Sequence, residues 1–530
     1  MKPEKKRKEK HFKALVAGIL SLALALGSAS TIFAASSAAF KLEEATIADV
    51  HRAMEAGELT CRSLVERYLK QIELYDDQGP SINAIIEINP YALEVADALD
   101  KKFAKGGLSG PMHCVPVIVK DNYNTMDMPT TGGSLSLKGF MPYKDAHVVK
   151  KLRDAGAVIL AKSNLSEFAN GTTTYSSLGG QTRNPYDLTR IPGGSSGGTG
   201  AAIAANMGLV GLGTETGRSV RGPAAYNGLV GLVPTEGLVS REGIIPLSDH
   251  LDRAGPITRT VEDAARMLDI MAGYDPEDPI SVEGYGHIPD TYTKALVKYG
   301  LKGARLGVLR QGFDPGTIGT ADTANPEVLE LIEQAIKDLE ALGAVIVDDV
   351  GAGIDLNEYL SLPGVPYQQK TGINAYLKKY GQFAPVQSFT DIAYSGLIDP
   401  NLEAGFRRSA ADPETDPESL EFYRGKYNKR LLRNVLTQIM AEHDLDALIY
   451  PYNINVAQKI GETMDAGNRF SPNSGLPAIV VPAGFTKDGM PVSLEFLGPA
   501  FSEFELIKFA YTYEQATKHR KPPASTPVIE

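Results

Sequence analysis

A lysine that closes an apolar run, and serines set among glycines, are the residues of this chain whose types and spacing could do chemistry. Pro116-Val117-Ile118-Val119-Lys120-Asp121 reads as a buried strand ending on a cation. Desolvation there would favour the neutral amine and turn Lys120 into a base. From Ile191 to Ala225 the chain runs IPGGSSGGTGAAIAANMGLVGLGTETGRSVRGPAA, which holds ten of the 53 glycines together with Ser195, Ser196 and Ser219. A serine hydroxyl is a poor nucleophile until a base takes its proton, and glycine-flanked backbone can aim several N–H groups at one point. A lysine, a glycine-flanked serine and a second serine 24 residues further on are thus the parts of a Ser-Lys nucleophilic system. The plainer alternative is a solvated lysine and glycines that only let backbone segments pack closely.

Other chemistries fit less well. GxSxG occurs twice in overlap, centred on Ser195 and on Ser196, and would mark the nucleophile elbow of an α/β-hydrolase-type esterase. That motif needs a strand before it, and Arg183–Pro192 (RNPYDLTRIP) is a poor one. A phosphate-binding loop would need GK[ST], and the dinucleotide pattern fails where Thr216 stands in place of glycine. No CxxC or HExxH occurs and no histidine has a second one at ligand spacing, so neither a metal nor another cofactor is expected.

Several separated segments then resemble one family. VPVIVKDN (Val115–Asn122), GGQTRNPYDLTRIPGGSSGGTGAA (Gly179–Ala202), GTETGRSVRGPAA (Gly213–Ala225) and GLPAIVVPAGF (Gly475–Phe485) are similar, in this order, to the amidase signature family of Ser-cisSer-Lys amide hydrolases. TRTVEDAARMLDIMAG (Thr258–Gly273) and EFELIKFAYTYEQAT (Glu503–Thr517) extend the likeness over nearly the whole chain. The resemblance implies that Ser219 is the nucleophile, Ser195, after a cis Gly194–Ser195 bond, the bridging serine, and Lys120 the final base. It also implies that the backbone N–H groups of Thr216, Gly217, Arg218 and Ser219 hold the oxyanion and touch substrate. Arg218 departs from the family, which often has Gly and sometimes Asn there; its side chain is expected to point to solvent, the alternatives being a narrowed pocket or a contact with an anion. The substrate would be a small-molecule amide bound by the variable region, about 274–455, and the loop around 168–177. Phe168 and Tyr175 could line an acyl site there or belong to the core. A catalytically silent binding protein on this scaffold is the remaining alternative, and a component of a tRNA-dependent transamidase is possible by fold.

The elements that must position these residues are legible as periodicity. Leu64, Val65, Tyr68, Leu69 and Ile72 share one helical face over Cys61–Tyr75, with Thr60 as N-cap. Val115–Val119, Ala157–Leu160 and Leu209–Leu212 read as buried strands. Further strands and helices are expected at Leu306–Leu309, Pro326–Leu342, Val345–Val347 and Ser502–His519, with mostly helix over Ile354–Glu442. This alternation predicts an α/β fold: one large domain over 36–530, its central mixed sheet covered on both faces by helices.

The amino-terminal end belongs to a different class. Residues 1–13 carry seven lysines and arginines against two glutamates, and no charge follows between Ala14 and Phe40. A basic start, an apolar stretch and small residues near Ala34 describe a signal peptide over 1–35, or a membrane anchor if it is not cleaved. A secreted protein is the expectation, which argues against the transamidase role. The formal charge of −11 argues against nucleic acid or an anionic membrane as a partner. Cys61 and Cys114 are the only cysteines, and neither their pairing nor the oligomeric state can be read from spacing.

Overall fold

The computed structural model describes residues 40–318, 323–462 and 467–528. The expected signal peptide, 1–35, lies outside them.

Eleven strands form one mixed sheet. They are β1 (Ile85–Ile88), β2 (Pro116–Lys120), β3 (Val158–Ser163), β4 (Val210–Glu215), β5 (Val230–Val233) and β6 (Arg253–Thr258), followed by β7 (Arg305–Val308), β8 (Val345–Val347), β9 (Ala447–Pro451), β10 (Ala478–Phe485) and β11 (Pro491–Leu497). Their order across the sheet is β1-β3-β2-β4-β6-β5-β10-β11-β9-β7-β8. β2 runs parallel to both β3 and β4, and β9 and β8 run parallel to β7, whereas β6, β5, β10 and β11 pair antiparallel. Successive side chains of a strand face opposite sides of a sheet. Every residue of β2, β3, β4, β5, β6, β9 and β11 is buried, so both faces are covered, as the α/β reading requires.

The apolar runs found in the sequence are these strands: Val115–Val119 is displaced by one residue from β2, whereas β3 and β4 each run three residues past the expected ends at Leu160 and Leu212. A strand buried on both faces cannot alternate, so its sequence is continuously apolar. The helix Cys61–Ile72 begins where Thr60 caps it, the threonine hydroxyl accepting from Ser63 N–H. It was expected to reach Tyr75; after Ile72 the backbone instead widens into a π turn, Glu73–Asp77. The stretch expected to be mostly helical holds Leu356–Leu360, Gln369–Tyr380, Phe389–Tyr394, Pro400–Ala411 and Leu420–Glu442. Cys61 and Cys114 form a disulfide with Cα atoms 5.5 Å apart. Among the described residues no helix is long and apolar enough to cross a membrane.

Candidate active site

Lys120 ends β2 at the middle of the parallel part of the sheet, opposite Ser163 of β3. The next residue anchors that end: the Asp121 carboxylate pairs with the buried Lys162 ammonium at 3.0 Å and accepts the Thr131 N–H at 3.1 Å. Lys120 is fully buried. Its Nζ donates to Ser195 Oγ at 2.7 Å, to Thr214 Oγ1 at 2.8 Å and, at 3.4 Å, to the Thr214 carbonyl of neighbouring β4. Asn122 Nδ2 donates to the same Thr214 hydroxyl at 3.0 Å. No carboxylate hydrogen-bonds the ammonium among the described residues; desolvation outweighs the more distant charges of Asp252 and Glu215 and brings the Lys120 pKa down to about 7.

The glycines around Ser195 are required by close approach. A Cβ on Gly194 would sit 2.6 Å from the Thr172 carbonyl carbon and 2.8 Å from Ser166 Oγ. The Gly194–Ser195 peptide is cis. No strand runs into Ser195: between the short strand Gly180–Gln181 and the helix Gly197–Ala204 the chain is loop with isolated bridges, which removes the nucleophile elbow as a geometry. The Ser196 hydroxyl is tied to β4, donating to the Thr214 carbonyl and accepting its N–H, each at 3.3 Å.

Ser219 lies in the turn between β4 and the helix Arg221–Tyr226, and its carbonyl accepts the Ser196 N–H at 3.3 Å, which draws the two glycine-rich segments together. Glu215 shapes this turn: its carboxylate accepts the N–H groups of Val220 and Arg221, each at 3.0 Å, and the Arg221 Nε at 2.8 Å. Burial opposes ionisation of Glu215, but the Arg221 and Arg253 guanidiniums outweigh it and hold the carboxyl below its usual range. Arg221 in turn reaches both carboxylate oxygens of Glu495 in β11, at 2.7 and 2.9 Å. Thr216 is held by its hydroxyl bond to the buried Asp252.

A cavity of about 360 Å³ opens on this turn and is lined by Thr216, Gly217, Arg218 and Ser219. Ser195 and Ser196 are 0% exposed and Ser219 6%, so of the three serines Ser219 is the one that borders the cavity. Among the described residues the N–H groups of Gly217 and Ser219 donate to no protein acceptor. Arg218 is half-buried and lines the cavity, because the turn held by Glu215 leaves residues 216–219 along its wall. Phe168 packs in an apolar cluster with Phe140, Phe389 and Phe406, and Tyr175 is 36% exposed. Neither reaches the cavity, whose edge on that side is formed by residues 169–172. The variable region does contribute, through Tyr359, Leu362, Tyr367 and Lys429, and Arg469 and Asn473 come from beyond it. These residues carry no local motif; only the folded chain gathers them. Among the described residues no cluster of His, Cys, Asp or Glu could hold a metal ion.

Known proteins share this sequence and fold. The family model described as Amidase matches residues 63–507. The native peptide amidase of Stenotrophomonas maltophilia superposes with a TM-score of 0.80 at 38% identity, covering 92% of this chain and 100% of its own. A protein of Arabidopsis thaliana named "probable amidase" is 36% identical over 95% of each chain. A glutamyl-tRNA(Gln) amidotransferase component from Alkaliphilus metalliredigens is 35% identical over 90% of this chain and 97% of its own. The chain belongs to the amidase (amidase signature) family and is a hydrolase of amide C–N bonds.

Proposed function

We propose that this is an exported amidase that cleaves a small-molecule amide through an acyl-enzyme on Ser219, with Ser195 and Lys120 as its proton relay. The observation that carries the reading is the 2.7 Å contact between Lys120 Nζ and Ser195 Oγ in a fully buried setting that favours the neutral amine. Ser219 Oγ attacks the carbonyl carbon while its proton passes to Ser195 and the Ser195 proton to the Lys120 amine. The N–H groups of Gly217 and Ser219, which have no described protein acceptor, would receive the oxyanion. Collapse of the tetrahedral adduct breaks the C–N bond, and the relay runs backwards to protonate the departing amine. Water then attacks the ester carbonyl, giving up its proton through the same pair, and releases the carboxylic acid and Ser219.

Export is supported by the basic and then uncharged composition of residues 1–40 and by the Cys61–Cys114 disulfide, a bond that persists in oxidising compartments. The acidic charge of −11 supports a small molecule over nucleic acid as partner. The test is release of ammonia or amine from a panel of aliphatic, aryl and peptide amides. Ser219→Ala, Ser195→Ala and Lys120→Met should each abolish turnover; full activity in Ser219→Ala would overturn the assignment.

A further inference from the structure

Arg218, Lys429 and Arg469 line the cavity beside Ser219, and among the described residues no carboxylate lines it. Lys429 is neutralised by Glu236, 2.7 Å away. Arg469 is not: its Nε is buried without a hydrogen-bond partner, and no ion pair satisfies its guanidinium among the described residues. Burial and the nearby Arg218 charge both work against its proton, so Arg469 stands where a positive charge is costly. A guanidinium carries five donors and cannot give up its charge at ordinary pH, so leaving it unpaired in a partly desolvated wall is unfavourable until an acceptor arrives. Leu247, Leu251 and Leu362 give the wall an apolar part, beside neutral polar side chains such as Asn170, Asn428 and Asn473. A hydrocarbon segment suits the leucines, and an anion suits Arg469.

We infer that the preferred substrate is an amide that also bears a carboxylate, with Arg469 binding that group as the specificity-determining residue. This deepens the reading of Ser219 as nucleophile and rests on it. The carboxylate could lie on the acyl side, as in a monoamide of a dicarboxylic acid, or on the amine side, as in an N-acyl amino acid.

The experiment measures kcat/KM for adipamic acid and for N-hexanoylglycine, each against a neutral amide of matched length. The wild-type ratio of anionic to neutral substrate should be about tenfold or more for one of the two, which identifies the side, and should shrink as ionic strength rises. Arg469→Met should lower that ratio by about ten- to hundredfold, mainly through KM, with Arg469→Lys restoring part of it. A wild-type ratio near one for both, or one that Arg469→Met leaves unchanged, overturns the inference while leaving amide hydrolysis intact. If no amide is hydrolysed, the nucleophile assignment is what has failed. Calorimetric binding of adipate then decides separately: a Kd about tenfold or more weaker in Arg469→Met supports the anion site, and an equal Kd rejects it.

Discussion

Lys120 Nζ lies 2.7 Å from Ser195 Oγ, with both residues wholly excluded from solvent. Neighbouring parallel strands make this contact possible: β2 delivers the amine, and β4 supplies the Thr214 hydroxyl and carbonyl that hold it in line. An unperturbed lysine would be neutral in only about one molecule in 2,500 at pH 7, a handicap of roughly 4.6 kcal/mol for a base. Burial without a bonded carboxylate removes most of it.

The pH dependence follows from that shift. With the Lys120 pKa at about 7, kcat/KM should rise about tenfold per pH unit below 7 and level off above it. A flat profile from pH 5 to 9, with chemistry rate-limiting, would contradict the role of Lys120. Stability carries the same signature. Between pH 7 and about 10.4 the unfolded chain holds the proton that the folded chain has lost, so Lys120 penalises the fold fully below pH 7 and progressively less as pH rises. Urea unfolding of the wild type should therefore gain stability relative to Lys120→Met across that window.

Arg221 bridges the nucleophile turn and β11. Arg221→Met would strand the buried Glu215 and Glu495 carboxylates, at a cost of about 3–5 kcal/mol. Chemical denaturation should register that loss, together with loss of activity as the turn carrying Ser219 relaxes.

Gly194→Ala places a methyl against Thr172 backbone, which cannot retreat as a flexible side chain could. A loss of about 1–3 kcal/mol is expected, and displacement of Ser195 by about 1 Å should lower kcat/KM by roughly a hundredfold. Wild-type kinetics in this variant would show that the backbone approach is looser than described.

The Cys61–Cys114 bond closes a sequence separation of 53 residues. On chain-entropy grounds its removal in Cys61→Ala/Cys114→Ala should cost about 4 kcal/mol of stability, read from the urea midpoint. An unchanged midpoint would mean that the bond adds nothing to the native state.

Much of this site was legible because its parts are local in sequence. Lys120 closes an apolar run since β2 is buried on both faces, and the glycines near Ser195 and Ser219 answer to backbone approaches within those same segments. The strands of the parallel half could be placed for the same reason. What escaped was whatever the topology alone brings together. Arg221 meets Glu495 across 274 residues of chain, and Lys429 and Arg469 reach the cavity from helices and turns with no signature of their own. The place of Arg218 on the cavity wall depends on a turn that Glu215 sets through two backbone N–H groups, which no residue count reveals. The pairing of Cys61 with Cys114 is likewise spatial.

The central claim is that Ser219 forms the covalent acyl-enzyme. Reaction with a serine-directed fluorophosphonate, followed by peptide mapping, tests it most directly. A single adduct on Ser219 is the predicted result, faster to form as pH rises through about 7 and absent in Lys120→Met. An adduct on Ser195 or Ser196, or none in active enzyme, would contradict it.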